Sequence, residues 1–327
     1  MRKVFFRCLL TLNIFMLAGF TNPLFAQISS YPNKTIRFVV PFAPGGSTDV
    51  TARIIGQKVS EILKQPVIVE NRAGAGASIG IQNVASSTPD GYSVLVVSPS
   101  IIVNSISMGA SSGYKPQDFE VVSFASNLPM GIFVNEKVPA NNLEELRTIA
   151  LKDHLSFATA GNGTPPSITC ENLFRIIWKA DVTHIPYKGS SPALLATVSG
   201  ETPITCGAMT GVTPFAKQGK VKVLAVSSEK HLASLPNVPT VIEAGYPQLR
   251  DDLWTGIFVP KNTPIDIKQK LNQAINLALQ NTEVIEKLDS NDLVPMGGSL
   301  SQNSDYFNSE ISRWLKTITA LKAQQIQ

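Results

Sequence analysis

Short apolar segments alternate with longer amphipathic ones along the chain, and this pattern restricts the fold more than any other feature. The apolar segment Thr35–Phe42 is followed by Ser47–Leu63, in which Ile55, Val59 and Ile62 recur near helical spacing. Further strand and helix patterns follow in the same order. Repeated β-α-β units predict an α/β fold whose mostly parallel sheets carry helices on both faces.

The alternation is interrupted once, by the long apolar segment Phe119–Val134, which contains Pro129 and Gly131. A strand broken at this point is suited to cross from one lobe to another. A second series starts at Leu143–Leu151, and the strand pattern Leu253–Val259 returns the chain to the first lobe. The length of 327 residues also fits two domains better than one. The predicted division is a first lobe of residues 27–127 and 231–327 and a second lobe of residues 128–230.

The first 26 residues have the pattern of a secretory signal peptide. Arg2, Lys3 and Arg7 precede the apolar stretch Cys8–Phe20, and Ala26 supplies a small residue at the expected cleavage site. The apolar stretch is shorter than the roughly 20 residues that a membrane span needs. The sequence therefore predicts export into the periplasm without a retained anchor.

Charge and composition limit the functional classes. Apolar residues make up 43% of the chain and charged residues 16%, which indicates a globular protein rather than a disordered one. Without the three basic residues of the signal, 25 basic residues face 24 acidic ones. Such a balance gives no basic surface for nucleic acid, so no nucleic-acid partner is expected.

Two cysteines, Cys170 and Cys206, remain in the predicted mature chain. An even pair in an oxidising compartment is compatible with a disulfide bond. Two small buried side chains, one on a helix and one on a strand, fit the same pattern. The distance between the two Cα atoms would decide, and the sequence does not supply it.

The loops that connect strands to helices are the predicted binding elements, because ligands of open α/β sheets bind at the carboxyl ends of strands. One loop leads into the first long helix. Its glycines allow close approach of a ligand, and the free amides of the following helical turn favour an anion. Asp49 taken alone is interpreted as a residue that caps the helix. The candidate binding residues of this loop are Pro44, Gly45, Gly46, Ser47, Thr48 and Asp49.

Three further loops supply the remaining candidates. Gly161, Asn162, Gly163 and Thr164 form a second glycine-rich turn before a helix, so one anion-binding loop is expected in each lobe. Tyr187 is a candidate apolar lid with a hydroxyl group. Another predicted strand is followed by Ser98 and Ser100, which offer two hydroxyl groups.

Cofactor, metal and catalytic motifs are not evident. Gly74 and Gly76 would need glycine or alanine at position 79 for a dinucleotide fingerprint, and Ile79 stands there. No histidine or cysteine cluster has metal-ligand spacing. His154, His184 and His231 have no partner at a recognisable spacing, and His184 lies on a predicted strand. No cofactor, no metal and no catalytic residue are therefore predicted.

Several short motifs together resemble those of a known family, the substrate-binding receptors of tripartite tricarboxylate transporters, often called Bug receptors. The resemblance covers nearly all of the predicted mature chain. The motifs that carry it are Tyr31-Pro32, Ile36–Phe42, Pro44–Asp49, Val69–Arg72, Pro89–Tyr92, Ala160–Thr164, Pro186–Gly189, Leu235–Thr240 and Glu243–Pro247.

The resemblance implies a periplasmic two-lobed fold of the Venus-flytrap type, which closes on a carboxylated ligand between the Gly45–Asp49 and Gly161–Thr164 loops. Backbone amides and ordered waters would hold that ligand. It also implies a non-catalytic, monomeric receptor that delivers the solute to the membrane subunits of a transporter. A sensor-kinase ectodomain as the partner and a secreted enzyme on the same fold are the alternatives.

Three positions depart from the family pattern. Gly207 stands where an aspartate that faces the cleft is common, and it is therefore also a candidate binding residue. The absence of the aspartate argues against amino-acid ligands and leaves a roomier or less polar pocket. Ser167 replaces a frequent histidine, and Thr202-Pro203 replaces a frequent Val-Asp pair. These changes bear on which carboxylate is bound rather than on the fold.

Overall fold

The computed structural model describes residues 31–325. The predicted signal peptide lies outside this range. Ten strands are seen within it: β1 (Ile36–Val40), β2 (Val67–Asn71), β3 (Ser93–Val97), β4 (Phe119–Asn135), β5 (Leu155–Thr159), β6 (Val182–Pro186), β7 (Ile204–Ala208), β8 (Val221–Val226), β9 (Asp252–Pro260) and β10 (Val294–Pro295).

Ten α-helices accompany these strands in the described part of the chain. They are α1 (Ser47–Leu63), α2 (Ser78–Ala85), α3 (Ser100–Met108), α4 (Leu143–Ala150), α5 (Pro165–Glu171), α6 (Ser190–Ser199), α7 (Val212–Lys217), α8 (Ile265–Leu279), α9 (Thr282–Asp289) and α10 (Leu300–Gln325). Helix α5 continues as a π-helix over Asn172–Ile177.

The strands form two sheets that share β4, and the predicted two-lobed α/β fold is confirmed. In the first lobe, β1 pairs in parallel with β2 and β3, and β9 extends this sheet antiparallel to β3. In the second lobe, β5 pairs in parallel with β6 and β7, and β4 pairs antiparallel with β7 and β8. Each lobe therefore has a parallel section, and antiparallel strands extend it toward the segments that cross between the lobes, which form the hinge.

Strand β4 crosses between the lobes, as its interrupted pattern predicted. Its first part, from Phe119 to Pro129, pairs with β9, and its continuation from Met130 pairs with β7 and β8. The Met130 amide donates to Ser227 Oγ at 2.8 Å, and the Ser227 amide donates to the Met130 carbonyl at 2.8 Å. These bonds join the two crossing segments.

Core packing bears on where the chain returns to the first lobe, which the sequence predicted at residue 231. Val241 and Leu249 are buried in the hydrophobic core of the second lobe, and the Val241 amide donates to the Val226 carbonyl at 2.8 Å. Asp252 begins β9, which pairs with β3 and β4 of the first lobe. We therefore propose that the second lobe includes the chain up to about residue 250.

A buried acid lies at this return point. Asp251 is 6% exposed, and Arg313 on α10 donates to it at 3.2 Å. Burial raises the pKa of Asp251 to about 7, against the attraction of Arg313, which lowers it. The pair fastens the terminal helix to the hinge.

Cys170 and Cys206 form a disulfide bond, which resolves the alternative that the sequence left open. The two Cα atoms lie 6.4 Å apart, and both residues are fully buried. The bond joins α5 to β7 inside the second lobe.

Candidate functional site

Four helices begin at one cavity between the lobes. Helices α1 and α3 belong to the first lobe and α5 and α6 to the second. With the lobes in this position the cavity encloses about 20 Å³, and about 370 Å³ of empty space when its opening to solvent is included. Its lining residues are Phe42, Gly46, Ser47, Thr48, Ser98, Ser100, Ala160, Thr164, Pro166, Ser190 and Leu253.

The first-lobe wall is the start of α1, where the sequence predicted it. Gly46 caps the helix in an extended conformation, and the first intrahelical bond runs from the Val50 amide to the Gly46 carbonyl at 2.9 Å. The amides of the first turn are therefore not used within the helix. Together with the helix dipole they favour an anion in front of Ser47 and Thr48.

The outer part of this loop serves a different purpose. Pro44 and Gly45 are exposed and do not line the cavity. Asp49 is buried and accepts hydrogen bonds from the Gly45 amide at 2.9 Å, Arg53 Nε at 3.0 Å and Asn71 Nδ2 at 2.8 Å. Burial alone would raise the pKa of Asp49, but these donors lower it below its usual value. Asp49 thus fixes the loop in front of α1 rather than capping an amide of the helix, whose N-cap Gly46 has no side-chain partner.

Replacing Asp49 by alanine is expected to lower the free energy of unfolding by about 2 kcal/mol at neutral pH, because it removes charged hydrogen bonds from a buried site. A lowered folded-state pKa gives stability that is present above the unfolded pKa and is lost as the pH falls through the folded pKa. Urea unfolding, followed from neutral pH to below about 3.9, the pKa of a free aspartate, tests this.

The wild type and the Asp49→Ala variant should converge at the acid end of that series. The exposed Asp153→Ala variant serves as the control and should follow the wild type throughout. A difference between Asp49→Ala and the wild type that stays constant with pH would contradict the assignment.

The second-lobe wall differs from the predicted one. Thr164 lines the cavity, and its hydroxyl donates to the Gly161 carbonyl at 2.7 Å. Helix α5 then opens with Pro165 and Pro166, which have no backbone N–H to offer an anion. The start of α6 supplies the facing amides instead: a Cβ built on Gly46 would lie 3.8 Å from the backbone nitrogen of Ser190.

Hydroxyl groups provide the remaining polarity of the cavity. Ser98 Oγ donates to Ser100 Oγ at 3.0 Å. Within residues 31–325, the hydroxyls of Ser47, Thr48 and Ser190 take part in no hydrogen bond with the protein. Three donors are thus left for a ligand at the point where α1 and α6 meet.

The other predicted site residues lie beside the cavity rather than on it. Gly161, Asn162 and Tyr187 line a neighbouring chamber that shares Phe42 and Ala160 with the cavity. Its residues from both lobes are in close contact. The Ala43 amide donates to the Lys188 carbonyl at 2.7 Å across the cleft, so the lobes are closed on each other.

Two of the predicted site residues outside the cavity have clear local roles. The Tyr187 hydroxyl donates to Glu201 at 2.8 Å, which fixes the ring beside the cleft. Gly163 lets the second lobe approach Asn104, since a Cβ on it would lie 2.8 Å from Asn104 Oδ1. Gly207 is buried within β7 and lines neither the cavity nor the neighbouring chamber.

Sequence reasoning did not single out Phe42, Ala160, Pro166, Ser190 and Leu253 as lining residues. The first four lie within or next to the predicted loops. Leu253 comes from the hinge strand β9, which carries no loop signal.

The histidines lie away from the cavity. His184 Nε2 is 2.6 Å from Thr159 Oγ1, and its ring stacks on Phe157 with centroids 4.9 Å apart. The hydrogen bond from His184 lowers the pKa of Glu171, against the effect of burial. This is the environment of a core histidine whose polar atoms are satisfied.

Within the described residues, no set of three or more His, Cys, Asp or Glu side chains is placed to hold a metal ion. Among the helices of residues 31–325, none combines the length and apolar character needed to cross a membrane.

The family model for the tripartite tricarboxylate transporter family receptor (TctC) matches residues 51–323. The chain belongs to this receptor family. The resemblance seen in the sequence motifs is therefore confirmed. Its members are solute-binding receptors, and the fold described above is that of a periplasmic binding protein.

Three relatives are similar to this chain over most of its length. Protein BugT of Bordetella pertussis is 34% identical over 313 residues, which cover 94% of this chain and 95% of BugT. The solved structure of MatC from Rhodopseudomonas palustris with bound malate is 31% identical, with a TM-score of 0.82, and covers 88% of this chain and 100% of MatC. R. palustris Rpa4515 with adipate is 29% identical, with a TM-score of 0.82, and covers 88% of this chain and 97% of its own.

Proposed function

We propose that this receptor captures a small carboxylate in the cavity between its lobes and releases it chemically unchanged. It would then deliver the solute to the membrane subunits of a tripartite transporter, which its membership of the receptor family supports. The place of action would be the periplasm, after removal of the signal sequence at residues 1–26. The receptor would work as a monomer, without a cofactor or metal.

One observation carries this proposal: the starts of α1 and α6 face each other across the cavity, and the free hydroxyls of Ser47, Thr48 and Ser190 lie between them. A carboxylate has about four lone-pair sites for hydrogen bonds. Amides of a helical first turn and hydroxyl donors satisfy these sites without a cation. The closed lobes would keep water from competing.

The relatives support the same ligand class. The structures of MatC with malate and of Rpa4515 with adipate both contain carboxylates. The cavity lining of this chain has no ionisable side chain within the described residues, so no general acid or base stands where the solute would bind. This favours a receptor over a secreted enzyme.

Binding of carboxylates to the mature protein, measured by thermal shift and then by calorimetry, tests the proposal. Unfolding and refolding beforehand removes any ligand that was carried through purification. A ligand at a hundredfold excess over its dissociation constant should stabilise the protein by about 2.7 kcal/mol. Acids that bind should be recovered unchanged, which separates a receptor from an enzyme.

Thr48→Val and Ser190→Ala should each weaken carboxylate binding about 10-fold or more, because a hydrogen bond to a charged group contributes about 1.5–3 kcal/mol. Thr48→Val keeps the shape of the side chain. Ser309→Ala, on the exposed face of α10, is the control and should bind like the wild type. Unchanged affinity in both cavity variants would place the carboxylate elsewhere.

Delivery is tested separately, by reconstituting the membrane subunits of a tripartite transporter in vesicles. Solute uptake should require the wild-type receptor and fall with Thr48→Val in proportion to the lost affinity. Uptake that is independent of the receptor would contradict delivery but not capture.

A further inference from the structure

The lining of the cavity combines hydroxyl groups with apolar side chains. Its six hydroxyl-bearing residues all belong to helix starts or the turns just before them. The apolar side chains are those of Phe42, Pro166 and Leu253. Hydrogen-bond donors for a carboxylate therefore stand beside apolar surface in one cavity.

Leu253 forms the floor where the lobes join. Val97, the last residue of β3, pairs with Gly256 on β9, so Leu253 lies beyond the carboxyl end of β3. It pairs with Leu128 on the crossing strand β4. Leu253 lines the cavity, whereas its neighbour Trp254 is buried and donates to Glu310 at 2.8 Å on α10. The pleat of the strand thus directs Leu253 toward the cleft.

A second carboxylate in this cavity would have to share the hydroxyl and amide donors that the first one uses, because the described lining holds no cation. Removing a carboxylate from water is unfavourable unless charged or hydrogen-bonding partners replace the water. In the described chain, every lining residue is apolar or bears a hydroxyl, apart from the small residues Gly46 and Ala160. An apolar group packed against Phe42 and Leu253, by contrast, is stabilised when it leaves water.

We infer that the solute is a monocarboxylate with an apolar tail, an aliphatic or aromatic acid, and that Leu253 contacts this tail and sets the specificity. The inference rests on the proposed function and narrows its ligand class. Malate and adipate, found with the two relatives, have two carboxylates each, so this chain would differ from those relatives in what it binds.

One cation stands near enough to offer an alternative. Lys188 lines the neighbouring chamber and is exposed. A diacid that extended past Phe42 and Ala160 would bring its second carboxylate toward Lys188. The experiment therefore uses pairs of acids that differ in a single carboxylate.

Calorimetry with hexanoate against adipate, and with benzoate against terephthalate, compares acids of matched skeleton. In at least one pair we expect the monoacid to bind tenfold or more tightly than the diacid. Leu253→Asn, which is of similar size but polar, should weaken monoacid binding about tenfold or more without weakening diacid binding, while Leu253→Met should keep the wild-type preference. Thermal unfolding of both variants checks that they fold.

The outcomes separate the inference from the proposed function. If neither monoacid binds more tightly than its matched diacid and a diacid binds, the inference is overturned and carboxylate capture stands. Loss of that diacid preference in Lys188→Met would then assign the second carboxylate to Lys188. If none of the four acids and no other carboxylate binds, both the inference and the proposed function fail. If Leu253→Asn binds monoacids like the wild type, Leu253 has no part in specificity.

Discussion

Replacing Gly76 by alanine is expected to weaken carboxylate binding about 100-fold or more, equivalent to about 2.7 kcal/mol, by preventing closure of the lobes. Gly76 belongs to the first lobe, in the loop before α2. A Cβ on Gly76 would overlap the carbonyl oxygen of Asn162 in the second lobe and lie 3.1 Å from its carbonyl carbon. Both atoms are backbone, so neither can rotate away as a flexible side chain would.

The same substitution should leave each lobe folded. Gly76 has φ +59°, and alanine in this left-handed region costs about 1–2 kcal/mol. Ala75 and Ala77 already adopt positive φ in the same loop, at 47° and 87°. The clash with Asn162, by contrast, destabilises only the closed arrangement. If binding requires closure, the free energy of this clash enters the measured affinity in full.

Gly200→Ala is the matched control. Gly200 has φ +83° and ψ 10°, in the same left-handed region as Gly76, and a Cβ there would lie no nearer than 3.7 Å to its neighbours, so it carries a similar backbone penalty without a clash. Calorimetry should give wild-type affinity for the control and strongly reduced affinity for Gly76→Ala. Small-angle scattering should show ligand-induced compaction in the control alone. Affinity within threefold of wild type in Gly76→Ala would mean that the ligand-bound cleft is more open than the one seen here.

The fold was largely predictable because strands and amphipathic helices have local signatures. Helix α1 begins at Ser47 and ends at Leu63, as its apolar spacing and the polar residues at its start indicated. The crossing in β4 was also foreseen. Helix α3 was not, because Ile101, Ile102 and Val103 form a β-branched and apolar run that favours a strand. All three are fully buried, so tertiary packing overrides their local preference.

The candidate site was predictable only where a loop carries its own signal. Gly46, Ser47, Thr48, Ser98, Ser100 and Thr164 were singled out and lie at the cavity. Ser190 lies in the same predicted loop as Tyr187 but was not singled out. Leu253 was not predicted, since its position depends on which strands meet at the cleft. Leu253 pairs with Leu128, far away along the chain, and no local pattern contains that register. The disulfide shows the same limit, because only the folded lobe brings Cys170 close to Cys206.

Removing that disulfide, by replacing Cys170 and Cys206 together with alanine, is expected to lower the free energy of unfolding by about 4 kcal/mol. The two residues are 36 positions apart in sequence, and closing a loop of this length removes much of the entropy of the unfolded chain. Small cavities add to the loss, since both side chains are fully buried beside Phe174 in the second-lobe core.

Urea unfolding of the oxidised wild type, the reduced wild type and the double variant separates the two contributions. Reduction keeps both side chains and removes only the bond, so its effect measures the crosslink, and the further difference to the variant measures the cavities. Reductant should not change the unfolding of the variant. Equal midpoints for the oxidised and reduced wild type would show that the bond adds no stability. The bond holds α5, whose start carries Thr164 and Pro166 of the cavity lining. The affinity of the variant for a carboxylate should therefore equal that of the wild type where the second lobe is folded, and should fall only at temperatures where that lobe begins to unfold.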